Sequence, residues 1–197
     1  MKVIGITGLA GSGKSSVLDY VDRKGYTTIE ADRVAKMIML EKKTITEVVK
    51  EFGMDIIEPT LGLINRGKLG KIVFSDPEKL KALEEIIIPK TRKAIKDFLD
   101  DYKEEDCVVF MESANMFNSG LNELCNSIIW VDADDTRRHK RLKWKGWSDE
   151  FIKLIDDVQK NFPKNKPGCI IFNNTKSFDK VLTHLDASIE MAIGVAK

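Results

Sequence analysis

The sequence predicts a three-layer α/β fold on a parallel sheet, and three features carry that expectation. Short β-branched or wholly apolar runs recur along the chain, as strands buried on both faces require. Segments of helical period separate them, so each return to the sheet needs a crossover. The first apolar run enters a glycine-rich loop that leads straight into a helix.

That first unit is the most informative. Val3, Ile4, Ile6 and Thr7 form the strand, and Gly8-Leu-Ala-Gly-Ser-Gly13-Lys14-Ser15 matches G-x-x-x-x-G-K-[ST] at every fixed position. Val17, Leu18 and Val21 follow at helical spacing, and Gly25 stands where a C-terminal cap belongs. A glycine-rich turn can match the pattern by chance, but here both flanks agree with it. The expectation is a P-loop NTPase/kinase fold. Loop N–H groups and the positive end of the helix make an anion site. Gly8, Ala10, Gly11, Ser12, Gly13, Lys14, Ser15 and Ser16 are therefore the candidate ATP-binding residues. Lys14 is expected to reach the β- and γ-phosphates, and the Ser15 hydroxyl to serve Mg²⁺.

At 197 residues the chain allows one globular unit with a real core and room for an inserted sub-domain. A formal net charge of +1 gives no global attraction to nucleic acid or an anionic membrane, so neither is an expected partner and any basic site is local. Cys107, Cys125 and Cys169 form no C-x-x-C, no signal-peptide pattern opens the chain, and no apolar run approaches a bilayer's thickness. The expectation is a reduced, cytoplasmic protein whose cysteines act as small core hydrophobes.

Tyr26-Thr-Thr-Ile29 reads as a second strand delivering Glu30-Ala31-Asp32 at its C-terminal end, the edge where open α/β sheets bind ligands. Asp32 can cap the helix beginning at Arg33 or serve as a site carboxylate, and the two roles are compatible. Residues 33 to about 104 read as mostly helical, too long for one crossover, and a substrate-side insertion explains them. Capping boxes at Thr44/Glu47 and Ser75/Glu78 are expected to open two of its helices, with Gly53 ending the first and Pro77 in the first turn of the second. Gly62–Gly67 reads as a loop carrying Arg66. The helix through Leu80, Leu83, Ile86 and Ile87 is expected to break or kink at Pro89 and continue over 91–102.

Cys107–Met111 is the next strand, followed at once by Glu112, placed where an acid can hold Mg²⁺ through water. Ser127–Val131 ends at Asp132, Cys169–Phe172 is the last strand, and Ser177 is expected to open a C-terminal helix. The chain is thus one domain, with a nucleotide-binding core of 1–32 and 105–197 around the insertion 33–104.

Seven of the twelve residues in Thr136–Trp147 are basic if His139 is counted. Charge runs are usually solvated faces. In a near-neutral chain this one reads instead as part of a lid, about residues 137–162, closing on a polyphosphate. Arg141 and Lys145 are its candidate catalytic cations. Trp144 and Trp147 are expected to pack the base of the lid rather than to stack on a substrate base. His139 and His184 lack partners at metal-ligand spacing and receive no role.

In their order these signals resemble the dephospho-CoA kinase family. The matching pieces are Gly5–Ser16, Ile29–Ala35, Ile64–Gly70 with Val73–Pro77, Leu83–Ile86, Phe117–Leu121, Arg141-Leu142, Gln159 and Ile171–Asn173, which span nearly the whole chain. The resemblance implies transfer of the ATP γ-phosphate to the ribose 3′-hydroxyl of dephospho-CoA, with Mg²⁺. It implies that Asp32 takes the hydroxyl proton, that Arg66 is a substrate-side arginine, and that Glu112 lies beside substrate and metal. It also implies that 33–104 bind the CoA moiety and that 173–177, with Asn173, lie near adenine. The chain departs from the family pattern at Glu30, Asn65, Ile88, 114–116, Lys145 and Ile155. Two other readings stay open: a kinase for a nucleoside or nucleotide, and a regulatory nucleotide-binding protein without transfer. The Asn65-Arg66 and Leu83–Pro89 signals weigh against the former, and intact Lys14, Ser15, Asp32 and Glu112 against the latter.

Overall fold

The computed structural model describes residues 1–160, 162, 168–176 and 178–194. In chain order these form β1 (Lys2–Thr7), α1 (Lys14–Arg23), β2 (Thr27–Glu30), α2 (Ala31–Ile38), α3 (Lys42–Phe52), β3 (Ile57–Glu58), β4 (Leu63–Ile64) and α4 (Arg66–Phe74). There follow α5 (Pro77–Asp101), β5 (Val108–Glu112), β6 (Ser127–Asp132), α6 (Asp135–Trp144), α7 (Asp149–Gln159), β7 (Cys169–Asn173) and α8 (Phe178–Ile193). The chain divides into two compact units, 1–30 with 98–197, and 31–97.

The first unit holds a five-stranded sheet in the order β2-β5-β1-β6-β7, with every neighbouring pair parallel. Parallel strands pay no penalty for being apolar throughout when helices cover them, and every residue of β1 after Lys2 is buried. On one face Ile4, Ile6, Phe110, Ile129, Val131 and Phe172 meet Val17, Leu18 and Val21 of α1 and Val181, Leu185 and Ile189 of α8. Asp186 joins those two helices, accepting from the Tyr20 hydroxyl at 2.8 Å and Lys24 Nζ at 2.7 Å. On the other face Gly5 lies so close to Cys125 and Met116 that a Cβ there would stand 3.0 Å from the Cys125 sulfur. The result is the parallel α/β architecture that the apolar runs predict.

The second unit is a helical cluster with a small hairpin, β3 against β4. Ile38, Val48, Ile56, Ile64, Leu69, Val73 and Ile87 form its core. Lys90 of α5 reaches back to α3, 2.6 Å from a Glu47 carboxylate oxygen and 3.3 Å from the Thr44 hydroxyl.

Several local expectations are corrected. Thr44 does not cap α3, which begins two residues earlier; the threonine is buried and its hydroxyl accepts from Lys90. Ser75 closes α4 by donating to the Lys71 and Ile72 carbonyls, and Asp76 instead caps α5 by accepting from the Glu78 N–H at 3.0 Å. Residues 62–67 are a strand and a helix start: Asn65 caps α4 by accepting from Lys68 N–H, and Arg66 is its first residue. Asp32 lies inside the first turn of α2 and does not precede it. Helix α5 runs unbroken through Pro89. Proline removes the bond to the Glu85 carbonyl, but both residues lie on the exposed side of α5, where water can replace it. The cysteines are free and of intermediate exposure, and of the three Cys125 packs inward, against Gly5 and Met116. Burial pushes the Cys125 thiol up to about 12, which leaves it protonated and unreactive. The expected helix start at Ser177 lies outside the described residues. Among the described residues no helix is long and apolar enough to cross a membrane.

Candidate active site

Register fixes where the site stands. Ile6 pairs with Glu112 on β5 and Thr7 with Trp130 on β6, so the loop after Thr7 rises from the middle of the sheet's C-terminal edge. Two of its glycines have no substitute. Gly11 has φ 77°, and a Cβ there would stand 2.6 Å from the Arg138 carbonyl oxygen. Gly13 has φ 105°, and its Cβ would lie 2.2 Å from Asn174 Nδ2. Left-handed dihedrals and neighbours this close both demand the absent side chain. Helix α1 begins immediately afterwards at Lys14, so its first N–H groups face outward without intrahelical partners.

Lys14 is 8% exposed and Glu112 3%. The ammonium sits 3.8 Å from a Glu112 carboxylate oxygen and donates to the Leu9 carbonyl at 3.3 Å. Glu112 thus ends its strand beside the loop lysine. Glu30, exposed, pairs with Glu112 across the β2–β5 ladder.

The loop is gripped from α6 and α7. Ala10 donates its N–H to Gln159 Oε1 at 2.8 Å, and its carbonyl accepts from Arg138 at 2.7 Å. Arg138 is 3% exposed, and its guanidinium also meets Asp156 at 2.6 Å and Asp135 at 3.2 Å. His139 contacts the second Asp156 oxygen at 2.6 Å. Arg141 donates to the carbonyls of Gly11 at 3.2 Å, Ser12 at 2.8 Å and Asn174 at 3.2 Å. Burial, and then the neighbouring Arg137 charge, shift the Arg141 guanidinium below its ordinary value. Asn174 Nδ2 donates to the Ser12 carbonyl at 2.8 Å.

These residues enclose a cavity of about 650 Å³ over Gly11, Gly13, Lys14, Ser15 and Ser16. Among the described residues its wall carries six cations, Lys14, Arg137, Lys140, Arg141, Lys145 and Lys176, and no carboxylate. In a chain of net charge +1 this is a strong local concentration of positive charge, which attracts anions. The basic stretch is therefore not a uniformly solvated face: part of it is buried against the loop and part lines the cavity.

The structure thus brings Gly11, Gly13, Lys14, Ser15, Ser16, Arg141 and Lys145 together at one cavity. Glu112 stands against Lys14, and Gly8, Ala10 and Ser12 belong to the loop beneath. Asn173 is not in that wall; it ends β7, exposed and paired with Asp132, and its neighbour Asn174 lines the cavity instead. Trp147 packs as expected, its ring 4.8 Å from Phe151, whereas Trp144 is exposed on the cavity wall. Arg138, Asp156 and Asn174 are working residues that the sequence reading did not single out. Arg138 was hidden in the charge run, and nothing local marks it as the buried member.

Asp32 and Arg66 belong to the second unit, both exposed. Arg66 lines a separate cavity of about 470 Å³ there. Its wall combines three cations, Arg33, Lys36 and Arg66, and one carboxylate, Glu58, with the exposed apolar side chains of Met37, Leu40 and Leu61.

A family model described as dephospho-CoA kinase matches residues 2–176. The dephospho-CoA kinase of Fusobacterium nucleatum is 37% identical over 190 residues, covering 95% of this chain and 97% of the relative. That of Dehalococcoides mccartyi is 32% identical over 182 residues, covering 91% of each. Among solved structures, TT1252 from Thermus thermophilus matches with a TM-score of 0.77 at 28% identity, over 96% of this chain and 97% of that one. A shikimate kinase from Bacteroides thetaiotaomicron, at 16% identity and a TM-score of 0.51 over 96% of this chain and 97% of its own, shares the fold alone.

Proposed function

The chain belongs to the dephospho-CoA kinase family, phosphotransferases that act on a hydroxyl group, and we propose that it moves the ATP γ-phosphate to the ribose 3′-hydroxyl of dephospho-CoA. The observation that carries this reading is the loop cavity at the C-terminal edge of a parallel sheet, lined among the described residues by six cations and no carboxylate. A polyphosphate is the ligand chemistry such a wall selects.

In this reading Lys14 and the loop and helix N–H groups bind the phosphates, and Arg141 and Lys145 supply positive charge to the transferring group. The ribose oxygen forms a bond to the γ-phosphorus as the bridging P–O bond breaks and ADP leaves. Asp32 takes the hydroxyl proton. The cavity of the second unit suits the acceptor: three cations, in excess of the single Glu58 carboxylate, match its pyrophosphate, and Met37, Leu40 and Leu61 match an uncharged arm.

The Ser15 hydroxyl and Glu112 carboxylate are hard oxygen donors at the loop, the chemistry Mg²⁺ requires. Among the described residues no group of three or more His, Cys, Asp or Glu side chains forms a metal cage. A pair of protein oxygens completed by phosphate and water suits Mg²⁺ nonetheless. When bound, the ion neutralises charge on the β- and γ-phosphate oxygens. The lid is the segment of about residues 137–162, which Arg138 and Arg141 tie to the phosphate loop.

The deciding experiment is ATP turnover with dephospho-CoA beside a panel of nucleosides and nucleotides. Phosphorylation of dephospho-CoA is the expected result. Turnover with a nucleoside and none with dephospho-CoA overturns the assignment.

A further inference from the structure

Trp144 is out of keeping with the cavity it lines. It is the one aromatic side chain among the described lining residues, in a wall otherwise made of cations, glycines, serines and an asparagine. It is 77% exposed. Trp147, three positions on, does the packing at this end of α6 through Phe151, so the fold does not need a second indole here. The ring is nonetheless not loose: Lys140, one turn back on α6, holds its ammonium 5.0 Å from the ring centroid. A cation at that distance is attracted to one face of the indole and leaves the rest of its surface open.

An indole adds little to the binding of phosphate oxygens, which the six cations already serve. It offers a large flat apolar surface beside them. The ligand chemistry that needs both is a polyphosphate joined to a planar ring, and the cavity volume is within the range of small-molecule sites.

We propose that Trp144 is the stacking platform for a purine ring in this cavity, held ready by Lys140. The proposal rests on the reading of the cavity as a nucleotide site and adds to it the residue that recognises the base. Both the donor and the acceptor of the proposed reaction carry adenine, so the purine has two possible sources.

The test uses the full chain with Trp147→Phe, which leaves Trp144 and the buried Trp130 as fluorophores. Mg-ATP, dephospho-CoA and inorganic tripolyphosphate are titrated separately, with binding followed in parallel by calorimetry. Quenching by ATP but not by tripolyphosphate assigns the stacked ring to the donor. Quenching by dephospho-CoA but not by ATP assigns it to the acceptor. In a second arm Trp144→Ala raises KM for that ligand about five- to 150-fold, the range for loss of one base–aromatic stack, and Trp144→Phe recovers most of the loss. The effect falls on KM more than on kcat, which separates base recognition from a general loss of fold. Calorimetric binding of ATP and dephospho-CoA with no change in emission, and a KM within twofold of the parent in Trp144→Ala, overturns the proposal alone. Absence of binding by both ATP and tripolyphosphate overturns the nucleotide reading, and the stacking platform with it.

Discussion

Arg138 holds the Ala10 carbonyl at 2.7 Å while the N–H of the same residue is held by Gln159. One residue of the phosphate loop is thus fixed by α6 through its carbonyl and by α7 through its N–H. With both backbone groups of Ala10 engaged, the following residues, Gly11 to Lys14, rise from a fixed starting point.

Removing that grip has a measurable cost. Arg138→Ala should lower stability by about 1.5–3 kcal/mol, the range for a hydrogen bond to a charged group, and should lower kcat as the loop loses its anchor. Asp156→Asn should do the same more mildly. Burial raises the Asp156 carboxyl, but hydrogen bonds from Arg138 and His139 outweigh it and hold the group below the ordinary 3.8. A carboxyl so held stabilises the fold above its unfolded value and loses that contribution as pH falls through the lower folded value. Thermal denaturation should therefore show the full gap between parent and Asp156→Asn at neutral pH, closing at pH values below 3.8. A gap independent of pH would mean that the carboxylate's charge is not what holds Arg138.

Lys14→Ala should cost about 10²–10³ in kcat, the loss typical of one preorganised electrostatic contact. Glu112 is then left buried without that cation, so a modest loss of melting temperature is expected as well. Wild-type-like turnover in a folded Lys14→Ala protein would show that the loop does not hold the phosphates.

Asp32 and Glu112 should separate by readout. Asp32→Asn should leave ATP affinity nearly unchanged and lower kcat by about 10²–10⁴, the range for a general base. Glu112→Gln should raise the Mg²⁺ concentration needed for half-maximal activity. A loss of less than about threefold in kcat for Asp32→Asn, far outside that range, would pass the role of base to Glu30.

The two candidate lid cations differ in their surroundings, and that difference can be measured. Arg141 is bound to the carbonyls of Gly11, Ser12 and Asn174, whereas Lys145 is exposed on the cavity wall. Arg141→Ala should therefore lower both stability and kcat, and Lys145→Ala kcat alone, by up to about 10²–10³ for the pair. Equal melting temperatures in the two variants would contradict the anchoring described for Arg141.

The strands, the loop and its helix were legible because their signals are local. An apolar run, a glycine spacing and a helical period are each fixed within a few residues. The misplaced caps fail for different reasons: Thr44 is taken by Lys90, from a helix more than forty residues away, which no local pattern encodes, whereas Ser75 bonds back to the helix it ends and Asp76 beside it takes the cap. The turn after β7 was legible as a segment, but which of two successive asparagines lines the cavity depends on where the strand ends: Asn173 is its last residue and Asn174 the first beyond it. Arg138 faces the Ala10 carbonyl and Asp156, eighteen residues later, whereas Arg137 beside it pairs with Asp134 on the exposed side. Burial of one cation out of seven is a property of how α6 meets α7, and composition is blind to it.

The central position of β1 also sets the order in which the molecule comes apart. Amides on strands with a neighbour at each side open to deuterium only with the larger part of the fold, whereas edge strands open in smaller fluctuations. β1 lies between β5 and β6, while β2 and β7 form the edges. Exchange should accordingly be slowest along Ile4–Thr7 and Val109–Glu112 and faster along β2 and β7. The strands that carry the phosphate loop and Glu112 thus stay closed while the rim that delivers Glu30 and Asn173 fluctuates, and a chain with a frayed edge retains the floor of its site.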